Sequence, residues 1–266
     1  MKIRPTYLFV AAVALTLTAC DEVGEGERFE PVDFEARKNV LIEDFTGQRC
    51  INCPLAAEAL VSIQELYGSD HVIAVSIHGG DFAVSTPPNG LATPTGEEYV
   101  SNWSVESFPS GLVDRVGGLR EFTSWSAGVI TRLQMEPAVD IDVENSYDPT
   151  NRELSINVSA TGNEEVSGKL SVWLVESNIV APQIMPNGDY NLQYVHNHVF
   201  RTSVNGTWGE DVTIAEGETE TKSYTVTLDS TWKAENMAIV AFISNDDDGV
   251  LQVVDNTIVI NNGTQE

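Results

Sequence analysis

The hydrophobic repeat changes period once along this 266-residue chain, near Glu136-Pro137, and that change limits the fold more than any other feature. Before it, short apolar runs alternate with stretches at helical spacing. Asn39 to Phe45 (NVLIEDF) reads as a strand. Pro54 suits the first turn of a helix, where its missing N–H has no partner to lose, and Leu55, Ala59, Ile63 and Leu66 then recur at helical spacing up to a capping Gly68. His71 to Ile77 is a second strand, ending at His78-Gly79-Gly80, and residues 81–94 read as a loop. Thr95 and Glu98 have capping-box spacing and open a short helix toward Trp103. Phe108-Pro109-Ser110-Gly111 is a turn before a strand around Leu112 to Asp114, and Phe122, Trp125, Val129 and Leu133 give a last amphipathic helix. A β-α-β order of this kind implies a partly parallel sheet with helices packed on it.

After the change the period is two. Val139, Ile141 and Val143 alternate with Asp140, Asp142 and Glu144, and Leu154, Ile156 and Val158 alternate with Ser155, Asn157 and Ser159. Similar runs follow to residue 260, and about seven strands with turn signals between them predict an antiparallel, immunoglobulin-like β-sandwich. The expected organisation is an α/β domain over 39–135 followed by an all-β domain over 136–266.

Composition narrows the function. Hydrophobic residues make up 42% of the chain, enough for a real core, but 14 basic residues face 40 acidic ones for a net charge of −26. Such a surface repels phosphate backbones, which excludes nucleic acid as a partner, and it offers no basic patch to anionic lipid. Membrane attachment has a different signal. Lys2 and Arg4 precede an apolar run from Leu8 to Leu17 that is too short to span a bilayer. Leu17-Thr18-Ala19-Cys20 resembles the lipobox of bacterial lipoproteins. Residues 1–19 are therefore expected to be a signal peptide, Cys20 the lipidated residue that holds the protein on a membrane, and the acidic, Gly-containing residues 20–38 a tether.

With Cys20 assigned to lipid, Cys50 and Cys53 remain, spaced C-x-x-C in an exported, oxidising setting. The pair is either a redox couple or a small structural disulfide. Cys50 follows a strand and opens a helix, where backbone N–H groups and the helix dipole favour a thiolate. Cys53, one turn on, can close the disulfide and release a bound partner. Asp44, on the strand that feeds the motif, could take the second thiol's proton through water, or could be only a hydrogen-bonded carboxylate at a strand end. Pro109, between an aromatic and a strand, suits a cis peptide beside the disulfide.

The strand with Asp44-Phe45, the sequence CINC, the helix and the later Phe108-Pro109 together resemble a thioredoxin-like domain over about residues 39–135. Arg49 stands where thioredoxins usually carry Trp, and Ile51-Asn52 replaces their usual Gly-Pro. Over most of the chain, VLIEDFTGQRCINCPLAAEAL, SIHGGDF, YVHNHVFR and GTWGE resemble the twenty-eight-kilodalton outer-membrane-protein family of Bacteroidetes. That resemblance implies a lipoprotein of the outer membrane, facing the periplasm or the cell surface, with a thioredoxin-like first part and a β-sandwich second part. Asp21 and Glu22 resemble the surface-export signal of lipoproteins in that phylum.

The remaining candidates are weaker. His78 ends a parallel-type strand and should lie at the same edge as the CINC loop, where it and Arg49 could tune the thiolate. His196 and His198, two apart in a strand, should share a face and would hold a metal only with a third ligand; a polar surface or interface is the plainer reading. Residues 245–249 (NDDDG) form a hairpin turn. Trp173, Trp208, Trp232 and Tyr194 are core by default, or platforms for sugars or peptides where exposed. No cofactor is expected. The expected activity is thiol-disulfide exchange with exported proteins; the alternative is a non-enzymatic surface receptor or adhesin whose C-x-x-C is structural.

Overall fold

In a computed structural model, which describes residues 36–260, the first strand β1 (Val40–Thr46) is buried along its whole length. The expected signal peptide, Cys20, Asp21, Glu22 and most of the expected tether lie outside the described residues. Helix α1 (Cys53–Tyr67) starts with Pro54 in its first turn and ends at Gly68, whose φ of 93° needs a residue without Cβ. Strand β2 (Val72–His78) returns parallel to β1, pairing Val40 with Val72 and Thr46 with His78. Helix α2 (Pro94–Asn102) begins earlier than the expected capping box. Thr93 is the cap and accepts from the Gly96 N–H at 3.0 Å, because Pro94 occupies the first helical position directly after it. Strand β3 (Ser110–Val113) runs antiparallel to β1, and α3 (Trp125–Leu133) covers it.

Ten strands follow where about seven were expected. They are β4 (Val139–Asp148), β5 (Glu153–Gly162), β6 (Val166–Glu176), β7 (Ile179–Ile184), β8 (Tyr190–His196), β9 (Val199–Ser203), β10 (Glu210–Ile214), β11 (Thr219–Thr227), β12 (Met237–Asn245) and β13 (Gly249–Thr257). The chain from Tyr190 to Ser203 forms two strands because His198 takes a φ of 55°, which turns it between β8 and β9. The protein is mostly β, with a mixed sheet and two antiparallel ones.

Those strands do not keep to themselves. An eight-stranded sheet runs in the order β13-β12-β6-β9-β2-β1-β3, with β10 also on β6, so it crosses the expected boundary at Glu136 without a break. The crossing is the parallel contact of Ser76 in β2 with Val199 in β9. A three-stranded sheet, β11-β5-β4, packs on one part of it, and β7 and β8 form a separate hairpin. Strand β6 explains why the join is stable. Leu170, Val172 and Leu174 point into a core shared with β4, β5 and β12, while Trp173 and Val175 point into a second core with Leu41, Phe45, Ile77 and Tyr99. A strand buried on both faces reads as a continuous apolar run rather than an alternating one.

The folded part also begins earlier than the expected tether end. The Arg37 N–H donates to the Leu133 carbonyl at 2.8 Å, and Lys38 is buried, its ammonium 2.6 Å from Asp114 Oδ2. A cation placed against a buried carboxylate cannot belong to a solvated linker. Asp114 also accepts from Arg132 Nε at 2.7 Å and from the Leu41 N–H at 2.8 Å. Its own carbonyl takes the Val250 N–H, beside Gly249 at a φ of 71°.

Candidate functional site

Strand β1 delivers the chain to a tight turn, Gly47 to Asn52, that carries the C-x-x-C at the start of α1. The Cys50 N–H donates to the Gly47 carbonyl at 3.0 Å and the Leu55 N–H to the Asn52 carbonyl at 3.0 Å. A Cβ on Gly47 would stand 2.5 Å from the Phe82 carbonyl, so only glycine lets that loop pass. Cys50 and Cys53 form a disulfide with their Cα atoms 5.4 Å apart. Ile51 and Asn52 at the turn's tip are exposed, as is Arg49, yet Cys50 is only 2% exposed and Cys53 3%. An attacking thiolate needs an exposed sulfur, and in this oxidised form Cys50 is closed off.

What covers the disulfide comes from the far half of the sequence. Gln183 of β7 donates its side-chain amide to the Cys50 carbonyl at 2.9 Å, and the Ile184 N–H donates to the Gln48 carbonyl at 2.9 Å. From the other side the Phe82 carbonyl accepts the Arg49 N–H at 2.8 Å, and the Phe82 ring lies 5.5 Å from that of Phe108. The Phe108–Pro109 peptide is cis, as expected. Pro109 precedes Ser110, the register partner of Phe45, so it stands at the same end of the sheet as the C-x-x-C turn.

Beneath the hairpin lies a cavity of about 390 Å³ that gathers most of the expected site residues: Asp44, Cys53, His78, His196 and His198. Cys53, not Cys50, is the cysteine that lines it. Asp44 is buried, bonded to the Ser76 side chain, and its Oδ1 has no partner among the described residues. Burial pushes its carboxyl up to about 8. A group that titrates near neutrality is suited to take or give a proton at working pH.

His78 lies at the edge the strand order implied. Its ring meets that of His196 edge to face, centroids 5.3 Å apart, with Tyr194 4.8 Å from His196 on the other side. Burial holds His78 well below the usual imidazole value, with the neighbouring His196 adding to the effect, and burial lowers His196 to about 4. Both rings are thus neutral at pH 7. His196 and His198 do not share a strand face as expected, because β8 ends at His196 and His198 sits in the turn beyond it. Among the described residues no group of three or more His, Cys, Asp or Glu is placed to hold a metal. Sequence reasoning missed Gln183 and Tyr194 as parts of this site; the apolar Val180, Tyr190, Leu192 and Val195 of the hairpin are exposed while Gln183 is buried, so hydrophobic patterning does not mark the inward face.

Fold and site together define a β-rich protein in which a C-x-x-C disulfide at a helix start is roofed by a hairpin from the second half of the chain. The model of the family described as outer membrane protein Omp28 matches residues 96–262, and the chain belongs to that family. The match begins after the C-x-x-C, so the disulfide is a feature the matched segment does not include. Among solved structures, HBP35 of Porphyromonas gingivalis shares the fold with a TM-score of 0.68 over 84% of this chain and 76% of its own, at 15% identity. A domain of the outer membrane lipoprotein Omp28 from the same organism is 23% identical over 47% of this chain and 90% of that domain, with a TM-score of 0.35. No curated protein matches.

Proposed function

We propose that this is a lipoprotein, anchored to the outer membrane through Cys20, whose thioredoxin-like part exchanges thiols and disulfides with exported proteins. The immunoglobulin-like part supplies the hairpin that controls access. The carrying observation is Asp44. A carboxyl buried in a cavity wall beside Cys53 with one oxygen unpartnered among the described residues costs stability, and a disulfide used only as a staple has no need of it.

In the reduced protein the Cys50 thiolate attacks a sulfur of the partner's disulfide and forms a mixed disulfide, expelling the partner's other sulfur as a thiolate. Cys53 passes its proton to Asp44 through water and attacks the Cys50 sulfur. The Cys50–Cys53 bond forms, the bond to the partner breaks, and the partner leaves with both of its cysteines reduced. The reverse sequence oxidises a dithiol partner. Either direction requires β7 to lift from Cys50. Pro109 flanks the site as a positioning residue, and His78, kept neutral, adds no positive charge to stabilise a developing thiolate.

The test is the reduction potential of the Cys50–Cys53 pair, read by thiol trapping across a graded dithiol buffer. A value between roughly −120 and −270 mV, with exchange abolished in Cys50→Ser, supports the reading. The 2% exposure of Cys50 favours a second one, a surface receptor or adhesin with a structural disulfide. A potential below about −300 mV with slow exchange would replace the first reading by the second.

A further inference from the structure

A second cleft, of about 880 Å³, opens away from the disulfide between the end of α2, the β6–β10 pair and the end of β12. We infer that it is a binding site for a neutral oligosaccharide, with Trp208 and Trp103 as its stacking surfaces. Trp208 is 42% exposed, although tryptophan is among the residues whose exposure to water is most unfavourable. It is held rigidly. Tyr99 meets its ring edge to face at 5.3 Å, and Asn205, in the loop that carries it, accepts from the Val172 N–H at 3.0 Å and donates to the Leu170 carbonyl at 2.9 Å. Trp103 lines the same cleft, and its indole N–H has no partner among the described residues.

The rest of the lining fits hydroxyl groups rather than apolar side chains. Asn102, Asn245, Asp246, Ser167 and Thr213 present amides, a carboxylate and hydroxyls, and among the described residues the one aliphatic side chain in the lining, Val212, is itself buried. A pyranose offers the matching surface: a face of C–H bonds that lies on an indole, and a rim of hydroxyls that both donate and accept. A peptide would need pockets for aliphatic side chains that the cleft does not provide. The charges favour a neutral sugar. Arg115 is held by Glu43 through two bonds of 2.8 and 2.9 Å, and Lys169 by Asp211 at 2.7 Å, so each cation in the cleft already has its anion.

The test uses the full chain, titrated with short neutral gluco-, manno- and N-acetylglucosamine oligosaccharides, an acidic polyuronide and an unrelated peptide mixture, followed by tryptophan fluorescence and calorimetry. Saturable binding of at least one neutral series is expected, weakened about tenfold or more in Trp208→Ala and retained in Trp232→Ala. Cys50→Ser with Cys53→Ser should bind unchanged, since the two sites are separate. In the wild type, the bound sugar should protect Trp208 from mild indole oxidation, read by mass spectrometry without any variant. Binding only of polyuronide or peptide, no saturable binding of any neutral series, or no protection of Trp208 would overturn the assignment.

Discussion

Gln183 donates its side-chain amide to the Cys50 carbonyl at 2.9 Å across 133 residues of sequence, which makes the β7–β8 hairpin a physical roof over the disulfide. The same amide also reaches the Ile184 and Gly47 carbonyls at 3.1 and 3.4 Å, so one side chain ties strand, turn and motif together. Gln183→Ala removes that tie without touching either sulfur. If lifting the hairpin limits access, losing about 1 kcal/mol of hydrogen bonding should speed reduction of the disulfide by dithiothreitol about fivefold. A thiol-trapping time course on wild type and variant measures this, and equal rates would remove the hairpin as a gate.

Asp44 sets a pH dependence whose sign follows from burial. Its carboxyl is raised from an ordinary 3.8 to about 8, so the folded protein holds this proton more tightly than the unfolded chain does. The stabilising contribution is complete below about pH 4 and disappears as pH rises through about 8, a span worth on the order of 5 kcal/mol. Asp44→Asn removes this dependence. Thermal unfolding of the oxidised proteins should show the wild type losing more stability than the variant between about pH 5 and about pH 9. If Asp44 also relays the Cys53 proton, exchange in the variant should slow by about a hundredfold at neutral pH. Parallel pH curves for the two proteins would show that the carboxyl is not buried in the charged state.

How much of this was legible follows from how local each signal is. Asp44, Cys50, Cys53 and His78 sit within one β-α-β unit, where strand ends and a helix start follow from nearby residues, and the cavity does bring Asp44, Cys53 and His78 together. His196 and His198 were visible as candidates, but the turn at His198 was not, because a φ of 55° on a histidine has no periodic signature. The continuous apolar run in β6, LSVWLVE, falls among the second-half runs from which a sandwich is expected. Its lack of alternation is the mark of two buried faces, and so of the sheet that crosses Glu136. Lys38 looked like tether because its partners Asp114 and Val250 lie far along the chain, and no pattern near residue 38 announces them.

Asp114 is the anion on which that junction depends. Fully buried, it receives Lys38 Nζ at 2.6 Å and Arg132 Nε at 2.7 Å, and both cations also reach the Val250 carbonyl, at 2.8 and 2.7 Å. Asp114→Asn leaves two buried cations facing each other without compensation, and should cost about 3–5 kcal/mol in urea unfolding. Adding Lys38→Met to that variant removes one of the stranded charges and should recover part of the loss. A loss below about 1 kcal/mol in the single variant would mean that water already screens the cluster.

Glu43 and Arg115 offer a sharper test of how the two halves are joined. Glu43 has no exposed surface, and its carboxylate holds the guanidinium bidentately at 2.8 and 2.9 Å. The same guanidinium lies 4.8 Å over the Phe242 ring and 5.6 Å from that of Trp173, both from strands of the second half. Two contributions are therefore mixed in Arg115: a paired charge and a flat surface packed on aromatics. Glu43→Gln keeps the packing and strands the charge, and should cost about 3–5 kcal/mol. Replacing both residues with methionine removes the ion pair while filling similar volume, and should be much less destabilising than the single change. Urea unfolding of the wild type, Glu43→Met, Arg115→Met and the double variant closes the cycle, with Glu43→Gln as the isosteric control. If the double variant is as unstable as Glu43→Gln, the aromatic contacts of Arg115, not its charge pairing with Glu43, hold β1 to β6 and β12.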